Sequence, residues 1–309
     1  MNALAELMAA DLSGPAPGGL EPLVGDLAGR FGESLLAVVL YGSCLRSADP
    51  GEGLVDLMAI VTGYRAAHGS HTAALANAVL PPSVYYLEAG DGARRVRSKF
   101  IVISMGSLAR RCRGGLDGYF WARFTQPCRL VWVRNRDTAR AVAEYRARAA
   151  VHFANQAQSL GNGLVTGAEF WARALDATYG CELRPEPPGS GHRLVENDFG
   201  FWRSISARVL PRLAHVETAS ADRYEIQMPA ASRAWGGLVW YSRRAWSKML
   251  NLARLIKAAG TFSNGLDYLA WKVERHSGVA VETTDRMRRY PRIAAWGLAW
   301  KLWRRGAFR

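Results

Sequence analysis

Short, nearly continuous apolar runs bounded by Gly, Pro, Ser or Asp recur through the first part of the chain: "SLLAVVLYG", "LVDLMAIV", "SVYYLEA", "SKFIVIS" and "CRLVWV". Their Val, Ile and Tyr content and their length predict β-strands. Apolar residues at helical spacing in "LEPLVGDLAGRF" and "HTAALANAVL" predict helices around and between these strands, and "SLARRCRGGLDGYFWARF" predicts a broken helical stretch. Residues 1–136 are therefore expected to form an α/β (α+β) domain around a mixed sheet.

From Asp137 the pattern changes. "DTARAVAEYRARAAVHFANQAQSL" and "TGAEFWARALDATYG" carry apolar stripes of period 3.6, and the strand pattern ceases. A mostly helical second domain is expected over 137–288. The Pro/Gly-rich "RPEPPGSGH" breaks it, and "SRRAWSKMLNLARLIKAAG" opens another basic amphipathic helix.

Within this pattern Asp56 is out of place, because it stands among Leu54, Val55, Leu57 and Met58 in a strand. A carboxylate buried there is costly unless it binds a cation or forms an ion pair. Upstream, Gly42 would let the backbone approach a ligand closely, and Ser43 would offer a hydroxyl and an N–H at an expected helix start, where anions are favoured. A magnesium ion would answer the charge on Asp56, since Mg²⁺ takes one or two protein carboxylates and completes its octahedron with waters and substrate phosphates.

Charge points the same way. With 40 Lys+Arg against 26 Asp+Glu the formal net charge is +14, which suits an acidic partner such as a nucleotide, a nucleic acid or an anionic membrane surface. Cys44, Cys112, Cys128 and Cys181 lie far apart without a C-x-x-C spacing, so neither a zinc site nor a disulfide framework is expected. No run of about 18 apolar residues is present to span a bilayer. The N-terminal "MNALAELMAADLSGPAPGG" has no basic region followed by a sustained apolar core and does not read as a secretory signal.

"YGS" followed by an aspartate on the next strand resembles the GS…D signature of the DNA polymerase β type nucleotidyltransferase superfamily. "YGS", "DLMAIV", "VYYL", "KFIVIS" and "FWARFTQPCRLVW", in that order, resemble one branch of it, the mitochondrial-type phosphatidate cytidylyltransferases, the soluble CDP-diacylglycerol synthases. The similarity continues through "ATYGCELR" and "KMLNLARLIKAAGTFSNGLDYLAWKVERHSG" and covers roughly residues 20–277. It implies a nucleotidyltransferase domain that uses Mg²⁺ to join CTP to phosphatidic acid, giving CDP-diacylglycerol and pyrophosphate. Asp56 would then hold the metal, with Gly42 and Ser43 cradling phosphate. Two departures bear on the site. The superfamily's second carboxylate position is Met58, which makes Glu88 the first candidate for another metal ligand, with Asp49 and Glu52 as alternatives; and Gln126 stands where family members commonly carry a lysine. Lys99 and Arg123, embedded in apolar blocks, are expected to bind phosphate or else to form internal ion pairs. Arg184 and Lys257 match further substrate-binding positions of the family.

Phosphatidic acid resides in a bilayer, so the enzyme would have to meet it at the interface. In "RYPRIAAWGLAWKLWRRGAFR", residues 289–309, Trp296, Trp300 and Trp303 recur on one helical face, amid Arg289, Arg292, Lys301, Arg304, Arg305 and Arg309. A basic amphipathic helix resting on an anionic membrane is expected there. This places the protein peripherally on the inner face of a bacterial inner membrane, or on the matrix side of a mitochondrial one. The alternatives are a nucleotidyltransferase for RNA or a small acceptor, against which the tryptophan-rich terminus argues, and a non-catalytic membrane maintenance factor with a degenerate nucleotide site.

Overall fold

The computed structural model describes residues 3–45, 54–90, 96–182, 187 and 189–259. Its centre is a five-stranded mixed sheet built from β1 (Leu35–Tyr41), β2 (Leu54–Val61), β3 (Ser83–Ala89), β4 (Val96–Ser104) and β5 (Cys128–Val133), in the order β3-β4-β2-β1-β5. β2 and β4 run parallel; the other pairs are antiparallel. β1, β2 and β4 are covered on both faces, which is why each reads as an almost unbroken apolar run.

One face is covered by α2 (Glu21–Phe31), whose Leu23, Leu27 and Phe31 recur every four residues and pack on Leu40, Leu57 and Phe100 in one buried cluster. The other face carries Val39, Tyr41, Met58, Ile60, Ile101 and Ile103. Over it lie α1 (Ala3–Leu12), α5 (Met105–Arg113), α6 (Tyr119–Thr125) and the long α7 (Arg136–Ala157). α7 opens on an Asn135 cap whose Oδ1 accepts from Thr138 N at 2.9 Å. Two short helices, α3 (Tyr64–His68) and α4 (His71–Val79), join β2 to β3.

Beyond α7 come β6 (Gly163–Thr166), α8 (Gly167–Tyr179), α9 (Ser190–Asn197), α10 (Phe199–Val209), β7 (Val216–Ser220), β8 (Arg223–Ile226) and α11 (Ala230–Ala259). Helices predominate, but the expectation that no strands follow Asp137 is corrected by an antiparallel sheet ordered β6-β8-β7. Its strands are too short for a periodicity count to detect, although "RYEI" alternates, with Tyr224 and Ile226 buried. The buried cluster on the helix-covered face runs from Leu4 through Phe153 and Trp171 to Trp240, so the two sides of residue 136 share one core. The expected helix at 289–309 lies outside the described residues. Among those described, no helix is long and apolar enough to cross a membrane.

His152 marks a tight place in this core. Its ring sits edge-on to Trp121, with centroids 5.3 Å apart, and a Cβ added at Gly114 would come within 2.8 Å of its Cε1. Burial, with the charge of Arg243, depresses its pKa to about 4. Between pH 6.5 and 4 the unfolded chain therefore binds a proton that the folded chain refuses, and stability falls on acidification. Urea midpoints measured across that window are expected to fall less steeply for His152→Gln than for the parent.

Candidate active site

Of the expected site residues, Gly42, Asp56 and Lys99 meet at one end of the main sheet. Tyr41 closes β1, and Asp56 and Lys99 lie in the first halves of β2 and β4; pairing sets Tyr41 opposite Asp56 and Asp56 opposite Lys99. Directly paired residues project to the same face, here the one beneath α6. Asp56 Oδ1 lies 2.8 Å from Lys99 Nζ, with the side chains 23% and 28% exposed. The cation that answers the buried aspartate is thus Lys99, one of the two answers open from sequence. Burial pulls the lysine pKa down, but Asp56, with Tyr119 adding to it, outweighs this and holds the pKa above the usual value, so Lys99 is an ammonium.

Gly42 stands directly against the same carboxylate. Its φ is +83°, and a Cβ there would sit 3.1 Å from Asp56 Oδ2. Only glycine combines that backbone with that approach. Ser43 is exposed and begins a three-residue 3₁₀ turn rather than the expected helix, so the anion-favouring end of a long helix is not what it offers. Gly42→Val is expected to abolish nucleotide binding in calorimetry, through clash with Asp56 and left-handed strain of about 1–2 kcal/mol. Ser43→Ala should only weaken it; normal binding by both variants would remove the phosphate-loop role.

Tyr41 lies beside this pair with its hydroxyl buried and facing Tyr119. Burial, then Tyr119 and Asp56, raise its pKa well above the ordinary value, so it is a neutral phenol. Sequence reasoning passed over it as a strand residue; its place directly after the apolar run and before Gly42 was the available signal.

From above, α6 adds Tyr119 and Arg123. The guanidinium stacks 4.4 Å over the Tyr119 ring and pairs with Glu182. Burial opposes its charge, but Glu182 and the facing tyrosines keep its pKa well raised. Arg123 also lines a cleft of about 430 Å³, counted out to solvent, between α6, the end of α8 and α11, with Tyr119, Gln126, Tyr179 and Glu182 on its walls. Gln126, the residue in place of a family lysine, accepts from Tyr179 Oη at 3.2 Å and donates to Ala122 O.

Two expected residues are not brought here. Glu88 pairs with Arg97 at 3.1 Å, two strands across from Asp56 and two register positions along, and also accepts from Tyr86 Oη. At about 4.8 Å per strand the two carboxylates cannot share one magnesium in this arrangement. Lys257 instead donates to the carbonyls of Leu80 and Pro82, where β3 begins at the opposite end of the strands. Burial, with Arg254, lowers its pKa to about 7, and its role here is to tie α11 to that corner. Arg184, Asp49 and Glu52 lie outside the described residues.

Asp56 suits a magnesium ion held by one carboxylate, its Oδ2 facing the space that the missing Gly42 side chain leaves. Among the described residues no group of three or more His, Cys, Asp or Glu gathers into a closed metal cage. The arrangement can neutralise phosphate with Lys99 and Arg123 beside a glycine that admits it closely. Comparison of the sequence with protein-family models and with curated proteins finds no match.

Proposed function

We propose that the chain is a magnesium-dependent phosphatidate cytidylyltransferase, converting CTP and phosphatidic acid to CDP-diacylglycerol and pyrophosphate. The observation that carries this reading is the meeting of Gly42, Asp56 and Lys99 at one sheet end beneath Arg123. The ordered sequence resemblance supplies the identity of base and acceptor.

In this reaction a phosphate oxygen of phosphatidic acid bonds to the α-phosphorus of CTP, and the bond from that phosphorus to the bridging oxygen of the β-phosphate breaks. The nucleophile is already an anion near neutral pH, so no base is needed; repulsion between two polyanions is the obstacle. Gly42 admits the nucleotide phosphates, and Ser43 offers a hydroxyl at the mouth. Lys99 and Arg123, each now paired with a carboxylate, offset charge on the transferred and departing phosphates. Asp56 would hold magnesium, which when bound supplies further neutralisation and orients the phosphates. Residues 289–309 would keep the chain at an anionic bilayer.

One observation favours a second reading, a membrane factor with a degenerate nucleotide site: Met58, two residues beyond Asp56, is 2% exposed and buried in the core. Purified protein with CTP, Mg²⁺ and phosphatidic acid vesicles, assayed for pyrophosphate and lipid-linked CMP, separates them. CTP binding without turnover supports the second reading. Equal turnover of ATP, GTP and CTP supports a broader nucleotidyltransferase.

A further inference from the structure

Three arginines are almost wholly buried among the described residues, and two of them are fully accounted for. Arg146, 0% exposed, donates to the carbonyls of Phe124, Met8 and Gln126 and pairs with Asp11 at 2.8 Å. Arg254 pairs with Asp117 and donates to Pro81 O at 2.8 Å.

Arg243, 2% exposed, differs from both. Its Nε donates to Leu116 O at 3.2 Å and its Nη2 to Gln156 Oε1 at 2.8 Å, while the guanidinium lies against the rings of Trp121 and Trp240 at 5.1 and 4.4 Å. No carboxylate pairs with it among the described residues, and Nη1 is buried without a hydrogen-bond partner. A buried, unneutralised guanidinium with an unused N–H group is costly unless an anion completes it.

The surroundings point to where that anion belongs. Arg243 and Ser247 stand one turn apart on α11, and both line the cleft next to Arg123. Ser247 Oγ is likewise buried and unpartnered among the described residues. One further turn along, Asn251 lines the cleft too; its Oδ1 is taken by Arg254 Nη1 at 3.1 Å, which leaves its amide nitrogen as a donor. The carboxylates of the cleft wall are already engaged, Asp117 by Arg111 and Arg254 and Glu182 by Arg123. The unmatched charge on this wall is therefore positive.

We propose that Arg243 and Ser247 form a phosphomonoester-binding subsite on the α11 wall of the cleft, which holds the phosphate of the acceptor. The unused Nη1 of Arg243 donates a charge-assisted hydrogen bond to one phosphate oxygen, and the serine hydroxyl donates to another. The position rests on the geometry of the cleft; that the phosphomonoester is the acceptor rests on the function proposed above.

The test is calorimetry on the full chain without CTP or Mg²⁺, with dihexanoyl phosphatidic acid as the probe and inorganic phosphate and glycerol 3-phosphate as competitors. Arg243→Lys, which keeps the charge but loses the Nη1 donor and the anchoring bonds to Leu116 and Gln156, is expected to weaken binding at least about tenfold, the low end for a charge-assisted hydrogen bond. Ser247→Ala should weaken it about two- to tenfold, and Arg140→Gln, which removes an exposed charge on α7, should leave it unchanged. Equal competition by the soluble phosphates assigns the subsite to phosphomonoesters in general; failure of both to compete means that the acyl chains rather than the phosphate carry the binding, and overturns the proposal. Wild-type affinity in both Arg243→Lys and Ser247→Ala, or an equal loss in Arg140→Gln, overturns the proposal, and should Arg243→Lys not fold, Ser247→Ala decides. If the variants weaken binding but the parent never consumes CTP, the subsite stands and the proposed reaction falls. If the parent turns over CTP and both variants keep its KM for phosphatidic acid, the subsite falls and the reaction stands.

Discussion

Asp56→Asn is expected to reduce CTP consumption by at least the roughly 10²–10³-fold that one electrostatic group commonly contributes. The substitution keeps the shape of the side chain beneath Gly42 but removes the charge that would hold magnesium, and it leaves the Lys99 ammonium without its 2.8 Å partner. Burial then acts on Lys99 without Asp56 opposing it, so its pKa should fall and its charge should weaken as a phosphate ligand. The fold should persist. The pair is about three-quarters buried, between the exposed and fully buried cases, so a loss of about 1–2 kcal/mol is expected. Far-UV circular dichroism and a thermal melt would establish folding, and pyrophosphate release would report activity. Near-normal release by the folded variant would remove Asp56 from the chemistry.

The largest effect on stability is expected from Asp117→Asn. Asp117 is 9% exposed and anchors two cations: Arg111 at 3.0 Å and the buried Arg254 of α11. Its Oδ1 also accepts from Tyr119 N at the start of α6. One carboxylate thus ties together α5, α6 and α11, the elements that bring Tyr119 and Arg123 over the sheet end. Removing its charge strands Arg254 in the interior, and breaking a buried pair from one side costs about 3–5 kcal/mol. In urea, the midpoint should drop by that free energy divided by the m-value of the parent. A shift under about 1 kcal/mol would mean that Arg254 finds other compensation, and the role of Asp117 as a clamp would fail.

Lys99, Arg123 and Glu88 show where sequence reading stops. Lys99 and Arg123 were marked by a charge inside an apolar block and Glu88 by the resemblance, and each is in fact paired, with Asp56, Glu182 and Arg97 respectively. A charge out of place announces that something must answer it but does not say what, because the partner lies on another element. The Asp56–Lys99 pair depends on β2 and β4 being parallel neighbours in one register, and Arg123–Glu182 spans 59 positions of chain.

The five strands of the main sheet and the principal helices were legible from the chain alone, because burial on both sheet faces writes unbroken apolar runs and burial on one helix face writes a 3.6-residue stripe, and both are local. So was Gly42 as the residue before the turn, since a positive φ selects glycine whatever surrounds it. What only the tertiary structure decided is which charges meet. It set Lys99 on Asp56, drew Lys257 away to the far end of the sheet, placed Tyr41 in the site, and left Arg243 without a carboxylate among the described residues. The physical reason is that solvation and Coulomb energies depend on distances across the fold, and no spacing along one strand or helix encodes them.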